Sequence, residues 1–190
     1  MLELIELGEI TIGSCSDLIG AAGRDDQFSN FATDPLDPVT GKIAATESTT
    51  EHVGDETALP ALLTDIDDDV SRFLADGAYD GQGVADCLIE KFGHEVEIII
   101  PPPKNAVHGK NAQRKHHIDV IAQSGRMSWQ TMTGYNQRSR VEAQIGRWKQ
   151  AIGDRLQTRH FDNQIAEAKI ASNALNRMAG LGRAVYERVV

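Results

Sequence analysis

One segment of the chain carries four residues whose types and spacing suit phosphate and metal chemistry: Tyr135, Arg138, Glu142 and Lys149. An α-helix advances about 100° per residue, so the four side chains would share an arc of roughly 60°. A carboxylate flanked by cations and a phenol offers an acceptor for a divalent ion beside donors for phosphate oxygens. The plainer alternative is an exposed helix in which Arg138 and Glu142 form an ordinary pair four residues apart. The match of all four positions favours a site.

The same segment, predicted as a helix over residues 136–152, also carries an apolar stripe beside the polar one. That stripe consists of Val141, Ile145, Trp148 and Ile152. A helix with two adjoining stripes can pack on a sheet and hold Glu142 at the edge of the packing. We therefore expect Glu142 to be partly buried and rigid, as suits a metal ligand.

A second carboxylate, Asp76, directly follows an apolar segment predicted as a strand over residues 70–75. Side chains at the carboxyl end of such a strand face the crevice where α/β proteins bind ligands, and Gly77 lets the chain turn there. The alternative is a turn aspartate that caps the next helix, a role for which Asp80 is the better candidate. Asp76 and Glu142 together predict a divalent-metal site for phosphoryl transfer. Two Mg²⁺ ions about 4 Å apart there would activate an attacking hydroxyl and stabilise the leaving oxygen.

The elements that must position these residues alternate between strands and helices. Hydrophobic periodicity predicts strands over 42–50, 70–75 and 96–100 and helices over 55–66, 82–92, 136–152 and 164–181. Residues 104–117 are predicted as a basic loop and 118–132 as weakly structured. This order indicates an α/β domain.

Charge is distributed unevenly along the chain, whose net charge is −9. Residues 1–100 carry 4 basic and 22 acidic side chains, whereas residues 101–160 carry 11 basic and 3 acidic ones. The basic segment, with Lys104, Arg114 and Lys115, could bind nucleic-acid phosphate, although a solvated loop is the plainer explanation. No apolar run approaches the ~20 residues of a membrane span, and Cys15 and Cys87 are far apart, which favours a reducing cytoplasm.

With these motifs in place, the sequence resembles the DDE transposases of insertion sequences, of the IS-five/IS-four type. The family pattern Tyr-x2-Arg-x3-Glu-x6-Lys is met by the four residues of the polar stripe, and an Asp-x-x-Tyr setting after a strand is met by Asp76 and Tyr79. Residues 96–105, 153–156 and 174–178 also look like family segments. The resemblance covers residues 37–183.

The resemblance implies an RNase H-like catalytic domain, a mixed sheet with flanking helices, that cleaves transposon ends and joins them to target DNA. Asp76 would be the second and Glu142 the third of three metal-binding, catalytic carboxylates. Arg138 and Lys149 would contact DNA phosphate, and Tyr135 would position the stripe or the DNA. The cofactor would be Mg²⁺ or Mn²⁺. DNA would be the main partner, with intact transposase or a second copy of the chain as further ones, and no membrane.

One departure from the family concerns its first aspartate, which closes the first strand of the sheet. Asp17, Asp25, Asp26 and Asp34 do not close an apolar strand, and residues 1–33 do not look like the family's first two strands. We therefore expect an incomplete RNase H-like fold with its first strands missing or replaced, from a truncated or frame-disrupted copy. Residues 1–36 form an unassigned segment, 37–183 a partial catalytic domain and 184–190 a tail.

Impaired cleavage is the expected consequence of this departure. A non-catalytic DNA-binding or transposase-pairing fragment, or a remnant without function, remains an alternative. A nuclease outside the DDE class is a weaker hypothesis, because such an enzyme would not need Tyr135 and Lys149 at these spacings.

Overall fold

The computed structural model describes residues 8–12, 29–32, 42–50, 55–66, 69–153 and 156–182. Its strands are β1 (Gly8–Thr11), β2 (Ser29–Ala32), β3 (Glu47–Thr50), β4 (Val70–Leu74) and β5 (Glu97–Ile99). Its helices are α1 (Asp55–Thr64), α2 (Gln82–Phe92), α3 (Ala112–Ser124), α4 (Arg126–Thr133), α5 (Ser139–Ala151) and α6 (Phe161–Gly180). Among the described helices, none combines the length and the apolar composition that a membrane span requires.

Three parallel strands form the sheet that carries Asp76, in the order β1-β4-β5. Thr11 pairs with Leu74, and Leu74 pairs with Ile99. The ladder continues past β1, because the backbone N–H of Ile12 donates to the carbonyl of Leu74 over 2.7 Å. The second pair, β2 with β3, is antiparallel and forms a separate two-stranded sheet.

Helices cover both faces of the parallel sheet, and the apolar residues of its strands are buried on both sides. Alternate residues point to opposite faces. Phe73 and Ile98 pack with the buried leucines of α1 and α2, whereas Leu74 and Ile99 pack with Trp129 of α4. Helices therefore cover the sheet on two sides, and β4 is fixed from both.

The C-terminal helix α6 packs on the segment that leads into β3. Asn176 accepts a hydrogen bond from the backbone N–H of Ile43 and donates one to its carbonyl, each 2.8 Å long. Leu175 and Trp148 share a buried cluster with Ile43, so α5 and α6 pack together there. This confirms the predicted apolar stripe of α5, in which Trp148 and Val141 are buried.

Residues 1–33 do not look like the family's first two strands in sequence, yet two short strands, β1 and β2, form there. β1 lies beside β4 and β2 pairs with β3, so a short strand stands in each place where none was recognisable. The expectation that the family's first strands are missing or replaced stays a prediction. Four residues of Gly-Glu-Ile-Thr are too short to give a periodic signal. The four aspartates at positions 17, 25, 26 and 34 lie outside the described residues.

Two further predictions need correction. Residues 112–133 form α3 and α4 rather than a basic loop and a weakly structured segment. α3 begins where the Asn111 side chain accepts a hydrogen bond from the N–H of Arg114. The helix was not predicted because its apolar residues do not form a clear stripe. The predicted mixed sheet is only partly right, because the parallel and antiparallel ladders are separate in the described residues.

Candidate functional site

Asp76 lies two residues beyond the end of β4, where the chain turns into the short 3₁₀ helix Gly77–Tyr79. Its Oδ1 accepts a hydrogen bond from the backbone N–H of Ala78 over 2.9 Å, which fixes the carboxylate. A Cβ on Gly77 would lie 3.2 Å from the carbonyl oxygen of Pro101, a tight contact, so the segment after β5 passes closest where the chain has a glycine. Asp76 is thus both a turn cap and a carboxylate at the end of the central strand.

The predicted motif helix begins later than expected. Tyr135–Arg138 form a 3₁₀ turn, and the α-helix starts at Ser139. Gly134, with φ of +69°, makes the left-handed turn that separates α4 from this segment. The stripe is therefore not a single α-helical face, because Tyr135 and Arg138 lie on the 3₁₀ turn while Glu142 and Lys149 lie on α5.

Arg138 brings the two predicted carboxylates to one point. Its Nη2 lies 3.3 Å from Oδ2 of Asp76, and its Nη1 lies 3.5 Å from Oε1 of Glu142. Asp76 and Arg138 are 62 residues apart in sequence, so the contact joins β4 to the motif segment across the fold. A carboxylate–guanidinium–carboxylate cluster results, at the carboxyl end of the parallel sheet.

The expectation that Glu142 is partly buried is wrong. Its side chain is 69% exposed, whereas that of Asp76 is only 18% exposed. The apolar stripe of α5 does pack inward, but Glu142 projects from the first turn on the open side of the helix. Lys149 is exposed on the last turn of the same helix. Glu142 is therefore the exposed member of the carboxylate pair and Asp76 the more buried one.

Tyr135 is half-buried beside the cluster. Its ring lies 5.2 Å from that of Trp129, centroid to centroid. Burial raises the pKa of Tyr135. The positive charge of Arg138 lowers this pKa, whereas the negative charge of Asp76 raises it further. The phenol is therefore a neutral hydrogen-bonding group at neutral pH, anchored on the face of the sheet that α4 covers.

Arg72 fixes this arrangement and was missed by sequence reasoning. It pairs with Glu97 over 2.7 Å and with Glu9 over 3.1 Å, and it donates to the carbonyl of Thr133 over 2.6 Å. One side chain of β4 thus holds both neighbouring strands and the end of α4, just before Gly134. A charged residue inside the apolar strand Val70–Leu74 was the available signal.

The basic residues predicted for DNA contact do not share one environment. Lys104 and Lys115 are exposed. Arg114 instead clamps Asp80, with Nε to Oδ1 at 2.7 Å and Nη2 to Oδ2 at 2.8 Å, and the Asp80 side chain is only 6% exposed. This hydrogen bond raises the pKa of Arg114. Asp80 is therefore not the predicted helix cap, since Gly81 occupies that position, and Arg114 holds α3 against the end of β4.

The donor set at the cluster fits one divalent ion better than two. Within the described ranges, no three histidine, cysteine, aspartate or glutamate side chains come together as a metal site. Mg²⁺ is commonly held by one or two carboxylates together with water and substrate phosphate, which Asp76 and Glu142 can supply. A pair of ions would need a further shared acid. On β1, the described residue paired with Leu74 is Thr11, a buried hydroxyl without a hydrogen-bond partner.

The fold and the cluster define a class: an α/β domain with an acidic pair and an arginine at the carboxyl end of a parallel sheet. Residues 35–177 match the model of the transposase DDE domain, and the chain belongs to this family. The resemblance predicted from the motif residues is thereby confirmed. The family acts on DNA and generally uses divalent metal ions. No solved structure matches the chain.

Proposed function

We propose that the chain is an RNase H-like DDE transposase domain of an insertion sequence, which binds transposon-end and target DNA and has impaired strand cleavage and transfer. The observation that carries the proposal is the convergence of Asp76 and Glu142 on Arg138 in a chain of this family. Asp76 and Glu142 would hold Mg²⁺ or Mn²⁺. When bound, such an ion would activate an attacking oxygen and neutralise charge on the phosphate.

The residues of the chain have separate tasks in this proposal. Asp76 is fixed by the N–H of Ala78 and defines where a cation would lie. Arg138 and Lys149 would bind DNA phosphates, as cations beside a carboxylate pair can do. Tyr135 would orient the DNA end through its phenol, because its ring is anchored on Trp129. Lys104 and Lys115 would extend the phosphate contacts.

Impairment follows from the donor set. Among the described residues, only Asp76 and Glu142 converge at this cluster, and the β1 residue that pairs with Leu74 is Thr11 rather than an acid. A second candidate function is favoured by the same observation: a DNA-binding or transposase-pairing regulator without chemistry. Both functions need DNA binding, and they differ in cleavage.

Nicking of supercoiled plasmid with Mg²⁺ or Mn²⁺ separates the two functions. We expect binding to random-sequence duplex and very weak nicking that Glu142→Gln and Asp76→Asn remove. The control is Glu95→Gln, an exposed acid in the turn before β5. Efficient nicking abolished by Glu142→Gln would contradict the impairment. Binding without any metal-dependent nicking would favour the regulator, and failure to bind duplex DNA would refute both functions.

A further inference from the structure

We propose that Arg138 is an internal counter-ion that competes with a divalent cation for Asp76 and Glu142, so that cation binding requires its guanidinium to leave the pair. The inference rests on the proposed function, because it assumes that these two carboxylates are the cation ligands. It adds a regulatory role for an arginine that was expected only to contact DNA.

The position of the guanidinium carries the first part of the argument. Arg138 directs one terminal nitrogen to each carboxylate, so it fills the place where an ion shared by both would lie. A positive charge there satisfies the acidic pair and opposes the arrival of a second cation. The arginine and the ion are therefore alternatives.

The lengths of the contacts show that the arginine is weakly held. Strong charge-assisted hydrogen bonds between nitrogen and oxygen measure about 2.7–2.9 Å. Arg138 reaches its two carboxylates at 3.3 Å and 3.5 Å, whereas Arg114 reaches Asp80 at 2.7 Å and 2.8 Å. The Nε of Arg138 is also buried without a hydrogen-bond partner. A ligand that accepted hydrogen bonds from all the N–H groups of the Arg138 guanidinium, Nε included, would therefore draw Arg138 away from the carboxylates.

A phosphate is such a ligand, because its oxygens match the guanidinium in a two-pronged arrangement. Asp76 would keep its place through Ala78, and the exposed Glu142 would be free to turn towards a cation. Thermodynamic linkage then requires that phosphate and cation each strengthen the binding of the other. The carboxylate pair would load its ion chiefly when DNA is present.

Mn²⁺ binding to the whole chain without DNA tests the competition. The free-ion signal in electron paramagnetic resonance gives the dissociation constant for wild type, Arg138→Gln and Arg147→Gln. Arg147 is the matched control, because it lies on α5 and bonds to Gln144 instead of to the carboxylates. We expect Arg138→Gln to bind Mn²⁺ on the order of tenfold more tightly, because one unit of repulsion is removed at contact distance. Arg147→Gln should match wild type.

The outcomes separate this inference from the proposed function. Mn²⁺ binding that Glu142→Gln weakens but Arg138→Gln leaves unchanged overturns the inference alone. Absence of any saturable binding that depends on Glu142 overturns the metal site and the inference together. A gain shared equally by both arginine variants means that net charge is responsible, which also overturns the inference.

A measurement on wild-type protein covers the case in which Arg138→Gln does not fold. The Nε–H signal of Arg138 in a nitrogen-15 spectrum, assigned by its loss in Arg138→Lys, should shift as Mg²⁺ saturates the protein. The shift should be larger with a short duplex present. A signal that stays in place at saturating Mg²⁺ would refute the displacement.

Discussion

Single residues decide how much chemistry the cluster can perform. Asp76 and Glu142 were predicted as site residues from their settings in the sequence, but their environments were not predicted. Asp76 is held by a backbone N–H, and Glu142 is exposed. The position of Thr11 beside β4 could not be predicted, because nothing in the sequence distinguishes a threonine in a four-residue strand. Its pairing with Leu74 places it next to the last residue of β4, two positions before Asp76.

Replacing Thr11 by aspartate should add an acid to the side of the sheet that carries Leu74. Because the position is buried, an unpaired carboxylate should lower the free energy of unfolding by about 3 kcal/mol. Added Mn²⁺ should recover much of that loss if Asp76 shares the ion. Urea unfolding with and without MnCl₂ measures this, and Thr11→Asn is the neutral control. Equal responses of the two variants to Mn²⁺ would contradict the idea.

His117 should make the stability of the chain dependent on pH, because its imidazole is buried. Burial lowers the pKa of His117 from 6.5, and the neighbouring His116 lowers it further, although Glu97, Asp80 and a hydrogen bond with Ile100 act in the opposite direction. His117 is therefore protonated more readily in the unfolded chain than in the folded chain. The contribution of neutral His117 to stability should therefore be fully present above about pH 6.5. The free energy of unfolding should fall as the pH is lowered through 6.5, by at most about 1.4 kcal/mol per pH unit.

His117→Gln should flatten this pH dependence, because glutamine does not titrate. Thermal or urea unfolding between about pH 5 and pH 8 provides the measurement. His94→Gln, at an exposed turn, controls for the loss of an imidazole. If His117→Gln retained the wild-type slope over this range, the dependence would have to arise elsewhere.

At the scale of elements, the long and strongly periodic segments were predictable and the short ones were not. α2 occupies the predicted residues 82–92, and β4 lies within the predicted 70–75. β1 and β2 were missed because four residues cannot show a period, and α3 was missed because its residues lack an apolar face. The 3₁₀ turn before α5 could not be foreseen, because it depends on how Gly134 and Arg72 join α4 to the sheet.

Arg72→Met should loosen the link between the sheet and the motif segment. Loss of the bonds to Glu97, Glu9 and the Thr133 carbonyl should cost about 1–3 kcal/mol of stability. Amide hydrogen exchange should also accelerate over residues 134–138. Lys91→Met, at the end of α2, is the control for replacing a cation by an apolar chain. Equal acceleration in both variants would argue against a specific role for Arg72.

At the scale of the whole molecule, the basic part of the chain is divided between internal and exposed cations. Charge counting placed Arg114 and Lys115 in one DNA-binding segment. The fold separates them, because Arg114 lies in an ion pair with the buried Asp80 while Lys115 is exposed. Side chains at adjacent positions of a helix point about 100° apart. This separation could not be predicted while the segment was read as a loop.

These two neighbours should therefore respond differently to the same substitution. Lys115→Ala should leave stability unchanged and reduce the salt dependence of DNA binding by about one counterion. Arg114→Ala should instead lower the free energy of unfolding by about 3 kcal/mol, because it leaves the Asp80 carboxylate buried and unpaired. Fluorescence anisotropy across a salt series and urea unfolding measure the two effects. A stable Arg114→Ala protein that loses DNA binding would contradict this division.

The order of the parallel sheet also has a consequence for synthesis of the chain. β4 is the middle strand, yet its residues follow β1 by about 60 positions, as the pairing of Gly8 with Val70 requires. At about 5–20 residues per second, a ribosome would take roughly 3–12 s to deliver that partner. During this interval the edge of β1 has no partner in the parallel sheet. The nascent chain should therefore depend most on chaperones before β4 emerges, and a pause after β4 should favour its correct folding.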